Sequence, residues 1–319
     1  MRLLKSADHA EYERIARSWG SVFDQLGWLQ LYGNRIRLYG IFDNDDRMIG
    51  GFHIYIRKFL GLRFGLNPPF TSSCGPFFIA NKKTMFTRNK MVRDVMKLVM
   101  MEIEKLKLAL VLISFHRDIR DTLPASRRGF DVKVRYTYRI DLKRSIQQIH
   151  ADISTSHRGS IRKAQADGLI LRKITDMKIV ELMVTKSLER NRLKKDLSFL
   201  RRILYEFVTA ENSFTYCVYH HNEPLAAALC FFDSDTALYL SGGYDADRKH
   251  HGAGALAIWQ SIQQARALDL RYFDFDGSMI PAIEKYFRGF GAEMVPYYRI
   301  FKAGYLIRLL LAVFAIEIR

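Results

Sequence analysis

Apolar residues recur along the chain with two different periods. Residues 35–57 alternate apolar and polar positions around a turn-forming tetrapeptide at 43–46, which predicts a β-hairpin. Residues 90–106 place apolar side chains three and four positions apart, which predicts a helix, and the apolar run at 108–115 predicts a buried strand. A chain that mixes these elements is expected to form an α/β (α+β) fold.

The second half of the chain follows with a similar succession of elements. Helices are predicted at 146–153, 160–166, 178–192 and 198–210. They are followed by a hairpin at 214–232, a strand at 237–245, a long helix to 267, a strand at 271–275, a short helix at 281–287 and a closing strand at 295–301.

Two short motifs occur twice in the chain. At one offset of 160 residues, Arg-Gly-Phe stands at 128–130 and 288–290, and Tyr-Arg-Ile stands at 138–140 and 298–300. Chance could produce single matches of this length, but the register continues upstream, where the apolar runs 108–116 and 268–276 align. A repeat of this length indicates two copies of one domain, since solenoid units have only about 20–50 residues.

The 319 residues are therefore divided into a first domain at 1–140, a second at 141–302 and a C-terminal segment at 303–319. The apolar run at 309–316 is too short to span a bilayer, which takes about 20 residues. Two interpretations of this segment remain: a helix that docks on the protein, or a helix that contacts a membrane surface.

The net charge of +17 is concentrated in one part of the chain. Residues 139–202 contain 16 lysines and arginines against 7 acidic residues. Such a field attracts phosphates, nucleic acid or an anionic membrane face, although it can also serve solubility alone. Three cysteines, an odd number, and a start without the apolar core of a signal peptide predict a cytoplasmic protein.

A glycine-containing loop opens the long helix of the second half. Gly252 and Gly254 would let the backbone approach a ligand, and the helix N-terminus would offer N–H groups to an anion. A purely structural turn is the alternative. The first half lacks such a Gly-x-Gly, so only the second half is expected to bind a donor.

This loop and the order of elements around it resemble the GNAT N-acyltransferase fold. The resemblance implies two tandem domains, each with a mixed central sheet flanked by helices. The loop of that family has the pattern (Gln/Arg)-x-x-Gly-x-(Gly/Ala), from which this chain departs by Lys249 at the first position. The resemblance implies that the cofactor-binding residues are Lys249, His250, His251, Gly252, Ala253 and Gly254. The tandem arrangement and the segments 157–173, 271–278 and 297–302 are similar to the FemAB/FemX group and to the wider FemAB-like (BioF2-like acetyltransferase domain) proteins. The likeness is strongest over 138–302, and no long helical arm for gripping tRNA is visible.

The resemblance implies an activity and two donors. FemAB/FemX proteins add amino acids from aminoacyl-tRNA to the peptidoglycan precursor peptide, a step in building the cell wall. GNAT enzymes use acyl-CoA, for which the Gly-x-Gly loop would bind the pyrophosphate. Both co-substrates remain open here, and a metal is not expected. The histidine pairs 220–221 and 250–251 have no carboxylate or thiolate at ligand spacing.

Basic residues at the start of the second half are predicted to bind the acceptor. Arg158 and Arg162 are four positions apart on one helical face, with Lys163 beside them, and arginines bind phosphate in bidentate fashion. By resemblance, Arg158 matches the arginine that the family uses near the acceptor's phosphate. A solvated basic face is the alternative. Ser278 and Arg299 are further substrate-binding candidates, although the recurrence of Tyr-Arg-Ile also suggests a structural role for Arg299.

Acidic and aromatic residues of the second half are predicted to carry the catalysis. Asp274 and Asp276 are two positions apart on a predicted strand, so one of them could orient or deprotonate an amine. Capping of the following loop is the alternative. By resemblance, Tyr286 matches the general-acid tyrosine of many GNAT enzymes, and its alternative is an aromatic anchor. Backbone N–H groups at 239–243 would polarise the acyl carbonyl.

The sequence thus predicts an N-acyltransferase that acts on the amino group of a phosphate-bearing acceptor, such as a cell-envelope precursor. The expected partners are this acceptor, tRNA if the donor is aminoacyl-tRNA, and a membrane surface at the inner face. The alternative is a non-catalytic protein on a transferase scaffold that binds RNA or a membrane surface through its basic residues.

Overall fold

The computed structural model describes the chain except residues 5–7, 81–83, 192–195, 246, 249, 278, 306 and 310–319. The chain divides into two compact units. The first comprises Met1–Arg135 and Pro296–Arg319, and the second comprises Tyr136–Val295. This division places residues 296–302 in the first unit, whereas the repeat in the sequence assigned them to the second domain.

Within its described residues, the first unit contains four α-helices and six complete strands. It also contains parts of two further strands, which extend from one unit into the other. The helices are α1 (His9–Trp19), α2 (Leu26–Gln30), α3 (Met85–Lys105) and α4 (Leu123–Ser126). The strands are β1 (Arg2–Leu4), β2 (Ile36–Phe42), β3 (Met48–Phe59), β4 (Leu62–Leu66), β5 (Phe77–Phe78) and β6 (Leu110–Ser114), with the beginning of β7 (Asp131–Asp141).

The second unit has the other helices and strands of the described chain. Its helices are α5 (Ile146–Asp152), α6 (Thr155–Ala166), α7 (Met177–Arg190), α8 (Leu197–Arg202), which continues as a π-helical turn at Ile203–Phe207, α9 (Ala253–Ala267) and α10 (Pro281–Arg288). Its strands are the end of β7, then β8 (Ile170–Lys173), β9 (Ser213–His220), β10 (Glu223–Phe232), β11 (Thr236–Tyr244) and β12 (Tyr272–Asp274), with the beginning of β13 (Glu293–Ala303).

The strands of the two units are arranged in the same order. In the first unit, β1, β2, β3 and β4 are successive antiparallel neighbours, β4 and β6 are parallel, and β6 pairs antiparallel with β13. In the second, β8, β9, β10 and β11 are antiparallel, β11 and β12 are parallel, and β12 pairs antiparallel with β7. The predicted fold class, a mixed sheet flanked by helices in each of two similar units, is confirmed.

The recurring Tyr-Arg-Ile triplets occupy equivalent places in the two sheets. Ile140 pairs with Phe273 on β12, and Ile300 pairs with Ile113 on β6. The closing strand of each unit therefore comes from the other copy of the repeat, which gives both copies of the triplet the same neighbourhood.

Helix α9 packs against the sheet of the second unit with a wide apolar surface. Its buried side chains include Leu256, Ile258, Trp259 and Ile262, with small alanines between them. The apolar residues of α3 cover the first sheet in the same manner. In the second unit, this packing holds the N-terminal end of α9 in a defined place beside β11.

None of the described helices is long and apolar enough to cross a membrane. Strand β13 extends to Ala303, and the Arg308 amide donates to the Gly304 carbonyl at 3.0 Å. Most of the helix predicted at 303–319 lies outside the described residues, so its docking on the protein or on a membrane stays a prediction.

Candidate functional site

The two glycines of the predicted donor loop have different surroundings. A Cβ atom at Gly252, the N-cap of α9, would lie 2.0 Å from the Ser160 carbonyl oxygen and 2.8 Å from the Ala164 Cβ. A Cβ atom at Gly254 would meet only the Tyr286 hydroxyl, at 3.2 Å. Gly252 is therefore required by the close packing of α6 on α9, while Gly254 leaves space above the first turn of α9.

The loop is held to α6 by a chain of polar contacts. The Gly252 N–H donates to His250 Nδ1 at 3.1 Å, so the imidazole carries its proton on Nε2 and donates to Asp167 Oδ2 at 3.0 Å. Lys163 Nζ lies 2.8 Å from the same oxygen. The hydrogen bonds from Lys163 and then His250 lower the pKa of the Asp167 carboxyl. Lys163, predicted to bind substrate, thus helps to fix the donor loop.

The remaining predicted loop residues differ in exposure. Ala253 is buried, and its N–H donates to the His250 carbonyl at 3.2 Å, whereas His251 is exposed. Lys249 lies outside the described residues. Because the first turn of a helix has N–H groups without intrahelical partners, the amides that follow Ala253 form the positive end of α9.

Strand β11 opens on one side next to this helix end. Its parallel pairing with β12 stops at Leu238, opposite Asp274. Its pairing with β10 is interrupted by a bulge, because Leu229 faces Ser241 while Cys230 faces Tyr239. Residues 239–244 are half-buried. The predicted carbonyl-polarising N–H groups at 239–243 lie on this stretch, where the strand has no ladder to β12 within the described residues.

Tyr286 lies on α10 with its hydroxyl against the first turn of α9. Its ring packs on the His157 ring at 4.9 Å between centroids, and His157 Nε2 lies 3.1 Å from the Tyr286 carbonyl oxygen. Burial, and secondarily the neighbouring Tyr244, raises the pKa of the Tyr286 hydroxyl. Burial and Tyr286 likewise raise the pKa of Tyr239. These phenols stay protonated at neutral pH and can donate a proton.

Asp274 is a buried carboxylate with contacts to several elements. Thr137 Oγ1 donates to Oδ1 at 2.5 Å, and the backbone N–H of Asp276 donates to the same oxygen at 2.9 Å. Arg139 Nε lies 3.5 Å from Oδ2, and only 1% of Asp274 is exposed. These contacts hold β7, β12 and the following turn together. A catalytic role for Asp274 stays a prediction.

Asp276 lies beyond the end of β12. The expectation that both carboxylates share one face of a strand is wrong, because β12 ends at Asp274 and Asp276 has a left-handed backbone with φ 60°. Gly277 also has a positive φ of 68°, and an added Cβ would lie 2.5 Å from the Tyr136 carbonyl. The turn therefore directs Asp276, which is half-buried, independently of Asp274. Ser278 lies outside the described residues.

The predicted phosphate-binding arginines differ in their contacts. Arg158 Nη1 donates to the carbonyls of Ala151 at 2.5 Å and Ile153 at 2.7 Å, so Arg158 caps the C-terminal end of α5. Arg162 is exposed on the next turn of α6. The phosphate-binding roles of both arginines stay predictions, and Arg162 has the greater access to a ligand.

Arg299 belongs to the first unit. Its Nε donates to Ser114 Oγ at 2.9 Å, within the pairing of β13 and β6. Burial, together with the nearby Arg135, lowers the pKa of Arg299 to about 10. A role in substrate binding stays a prediction, while a structural role for this residue in the sheet is evident.

Several residues near the loop were missed in the sequence. Asp245 is buried at the end of β11, with Lys186 Nζ at 2.8 Å and Arg248 Nε at 3.4 Å. The hydrogen bond from Lys186 lowers the pKa of Asp245. This pair anchors the connection from β11 to α9. Asp167 also went unnoticed, because its partners Lys163 and His250 are far apart in sequence.

In the described part of the chain, no group of three or more His, Cys, Asp or Glu side chains is placed to hold a metal ion. The three cysteines are buried, and burial raises the pKa of each thiol, to about 11 at Cys217. A buried, protonated thiol is a poor nucleophile.

Part of this chain matches a known protein family. Residues 153–288 match the acetyltransferase (GNAT) domain family, a range that contains α9, β11, β12 and α10. The predicted class of enzyme, an acyltransferase, is confirmed by this match. A comparison with curated protein sequences found no match to this chain.

Solved structures extend the likeness over both units. FemX is 12% identical, covers 93% of this chain and 97% of its own, and has a TM-score of 0.66. The C-terminal DUF2156 domain of a putative lysylphosphatidylglycerol synthetase from Agrobacterium fabrum is 10% identical, covers 96% and 95%, and has a TM-score of 0.62. A tandem GNAT protein from the clavulanic acid biosynthesis pathway is 11% identical, covers 83% and 82%, and has a TM-score of 0.50. At such identities the likeness concerns the fold alone, and the predicted tandem GNAT-type fold is confirmed.

Proposed function

Since residues 153–288 form an acyltransferase domain of the GNAT type, we propose that this protein transfers an acyl or aminoacyl group to the amino group of a phosphate-bearing acceptor. One observation carries the proposal. The Tyr286 hydroxyl lies against the first turn of α9 at Gly254, whose missing side chain leaves room for a ligand, and Tyr239 and Tyr244 of β11 are neighbours of Tyr286. Anion binding, carbonyl polarisation and proton donation can therefore occur at one place.

The proposed donor is acyl-CoA. Its pyrophosphate would bind at the first-turn amides of α9, where the helix dipole favours an anion. The contacts among His250, Asp167 and Lys163 would hold the loop in its binding conformation, so less order is lost when the donor binds. Aminoacyl-tRNA is the second candidate, supported by the fold shared with FemX and by the net charge of +17.

The proposed acceptor carries phosphate, as a cell-envelope or peptidoglycan precursor does. The exposed Arg162 and the basic segment 139–202 support this choice. A lipid-borne phosphate is also compatible with the fold that this chain shares with a protein named as a lysylphosphatidylglycerol synthetase. We place the reaction in the cytoplasm at the inner membrane face, with tRNA as partner only for the second donor.

The chemistry would be a direct transfer. The amine nitrogen attacks the acyl carbonyl carbon, and N–H groups of residues 239–243 stabilise the negative oxygen that forms. The ammonium proton passes to a carboxylate, for which Asp276 is better placed than the buried Asp274 that orients it. The bond to the leaving sulfur breaks, and Tyr286 donates a proton to the thiolate. Solvent then restores both protonation states.

The test is calorimetry and thermal shift with CoA and acetyl-CoA on three proteins. The wild type should bind both, and Gly254→Glu should lose binding because its carboxylate would occupy the anion position. Gly254→Ala is the matched control, since its methyl group meets only the Tyr286 hydroxyl. Absence of CoA binding in the wild type would favour aminoacyl-tRNA. Absence of turnover with both donors would favour the non-catalytic alternative, binding of RNA or a membrane surface.

A further inference from the structure

The hairpin formed by β3 and β4 ends in an apolar tip. Phe59 pairs with Leu62, so Leu60 and Gly61 form a two-residue turn. Phe59 is 59% exposed and Leu60 is 84% exposed, and Leu62 is exposed as well. Three large apolar side chains thus point into solvent at one end of the first unit.

The turn itself is built from an unusual residue. Leu60 has φ 47° and Gly61 has φ 75°, and two-residue turns of this kind favour Asn, Asp and Gly because these residues tolerate positive φ. A leucine there strains the backbone and exposes an apolar side chain to water. Asparagine would improve both local conformation and solubility. An apolar residue at this position is therefore explained best by a contact that the tip makes with something outside the chain.

Basic residues surround the tip. The seven residues 57–63 contain Arg57, Lys58 and Arg63 and no acidic residue. Arg57 and Lys58 are exposed, as is Lys107 in the neighbouring connection from α3 to β6. Exposed apolar side chains ringed by basic ones complement a partner that has an anionic outer layer over an apolar interior.

The same edge of the unit carries a second exposed aromatic residue. The Arg63 carbonyl accepts from the Ala109 N–H at 2.9 Å, and the Ala109 carbonyl accepts from the Gly304 N–H at 3.1 Å. Tyr305, the next residue, is largely exposed. The hairpin tip and the start of the C-terminal segment are therefore neighbours on one edge.

We propose that the hairpin tip, residues 57–63, inserts into the interface of an anionic lipid bilayer. Phe59, Leu60 and Leu62 would enter the boundary between headgroups and acyl chains. Arg57 and Lys58 would contact lipid phosphates, and Tyr305 would lie at headgroup depth. This attachment goes beyond acyl transfer and does not depend on it, because none of these residues belongs to the unit that contains α9.

The first experiment measures sedimentation of the full chain with vesicles of phosphatidylglycerol and phosphatidylcholine, and with phosphatidylcholine alone. Leu60→Asn should weaken binding to the anionic vesicles about tenfold, equivalent to about 1.4 kcal/mol. Asparagine suits the positive φ, so this variant should melt at or slightly above the wild-type temperature. Arg57→Gln and Lys58→Gln should each weaken binding by about fivefold at low salt.

A matched control is available at the other end of α3. Phe86 is 77% exposed and lies in the first turn of this 21-residue helix, about 30 Å from the end that Arg63 contacts. Phe86→Ser removes as large an exposed aromatic side chain from the same unit and should leave vesicle binding unchanged.

Insertion can be read directly with a fluorophore. The described native cysteines are all buried, so Leu60→Cys can be labelled selectively with an environment-sensitive dye. The emission should shift to the blue with anionic vesicles, whereas the same dye on Phe86→Cys should not respond.

Three outcomes would overturn the proposal. Leu60→Asn could bind vesicles as the wild type does, Phe86→Ser could weaken binding equally, or the dye at position 60 could stay in water. Self-association of the wild type that is lost in Leu60→Asn, without vesicle binding, would instead identify the tip as a protein interface. Calorimetry with CoA separates this test from the enzymatic proposal, since Leu60→Asn should bind CoA as the wild type does.

Discussion

Arg139 and Asp274 face each other across β7 and β12, with Arg139 Nε 3.5 Å from Asp274 Oδ2. Arg139 also stacks on the Tyr272 ring at 3.7 Å. The equivalent arginine of the other repeat, Arg299, lies against Ser114, which is 160 positions before Asp274. The second unit thus keeps a buried ion pair where the first unit has a neutral hydroxyl.

Removal of the Asp274 carboxylate should destabilise the protein. Asp274→Ala leaves Arg139 buried without its acid, and breaking a buried pair in this way lowers the free energy of unfolding by about 3 kcal/mol or more. Urea unfolding measures the change. Asp276→Asn is the control and should alter the unfolding free energy little while reducing kcat. An equal free energy of unfolding for Asp274→Ala and the wild type would show that this ion pair does not stabilise the fold.

The two loop glycines should respond differently to a methyl group. Gly252→Ala forces a Cβ against the Ser160 carbonyl and should lower the free energy of unfolding by about 1–3 kcal/mol. Gly254→Ala should be about as stable as the wild type. Thermal denaturation compares the two variants, and a Gly252→Ala protein that melts with the wild type would contradict the packing of α6 on α9.

Tyr286→Phe should reduce kcat with little effect on the affinity for the donor. The missing hydroxyl can no longer protonate the leaving group, a contribution of about 10²-fold or more. Steady-state kinetics gives the change, and calorimetry with CoA checks that binding survives. Tyr239→Phe serves as the comparison because its hydroxyl lies against Gly242 on β11. A kcat for Tyr286→Phe within twofold of the wild type argues for the aromatic-anchor alternative.

Asp167→Asn should weaken donor binding without a large change in kcat. The amide no longer attracts Lys163 and the His250 N–H, so the loop before α9 becomes less ordered. Because the pKa of Asp167 is depressed, its stabilising effect is present above the ordinary value of 3.8 and is lost as the pH falls below it. Titration with CoA at neutral pH tests the variant. Unchanged affinity would mean that these contacts do not order the loop.

His157 should make the stability depend on pH in a mildly acidic range. Burial lowers its pKa, although the hydrogen bond to the Tyr286 carbonyl acts in the opposite direction. The unfolded chain therefore binds a proton more readily, and the free energy of unfolding should decline as the pH falls below about 6.5. His157→Gln should show a flatter profile in urea unfolding from pH 7.5 to 5. Parallel profiles would show that other groups cause the decline.

The sequence predicted the features that depend on local pattern and recurrence. Apolar periodicity located α3 and α9. The repeat indicated two similar arrangements of strands, because recurring strand sequences need similar neighbours. The hairpin formed by β3 and β4 was not predicted, because its turn residues, Leu60 and Gly61, are not a typical turn signal for hairpins.

Other features depended on contacts between distant residues. Arg158 has the spacing of a phosphate ligand but caps α5, and nothing local distinguishes the two roles. The burial of Asp274 depends on Thr137, which is 137 positions away. The exchange of closing strands is likewise invisible in the pattern, since either copy of Tyr-Arg-Ile fits either sheet.

The exchange of closing strands has a consequence for how the protein folds during its synthesis on the ribosome. The strand that completes the first sheet is residues 296–303, so nearly all of the chain must be synthesised before that sheet can close. The second sheet has its borrowed strand, residues 136–141, from the beginning of its own synthesis. The later part of the chain can therefore finish folding first, against the usual order of translation.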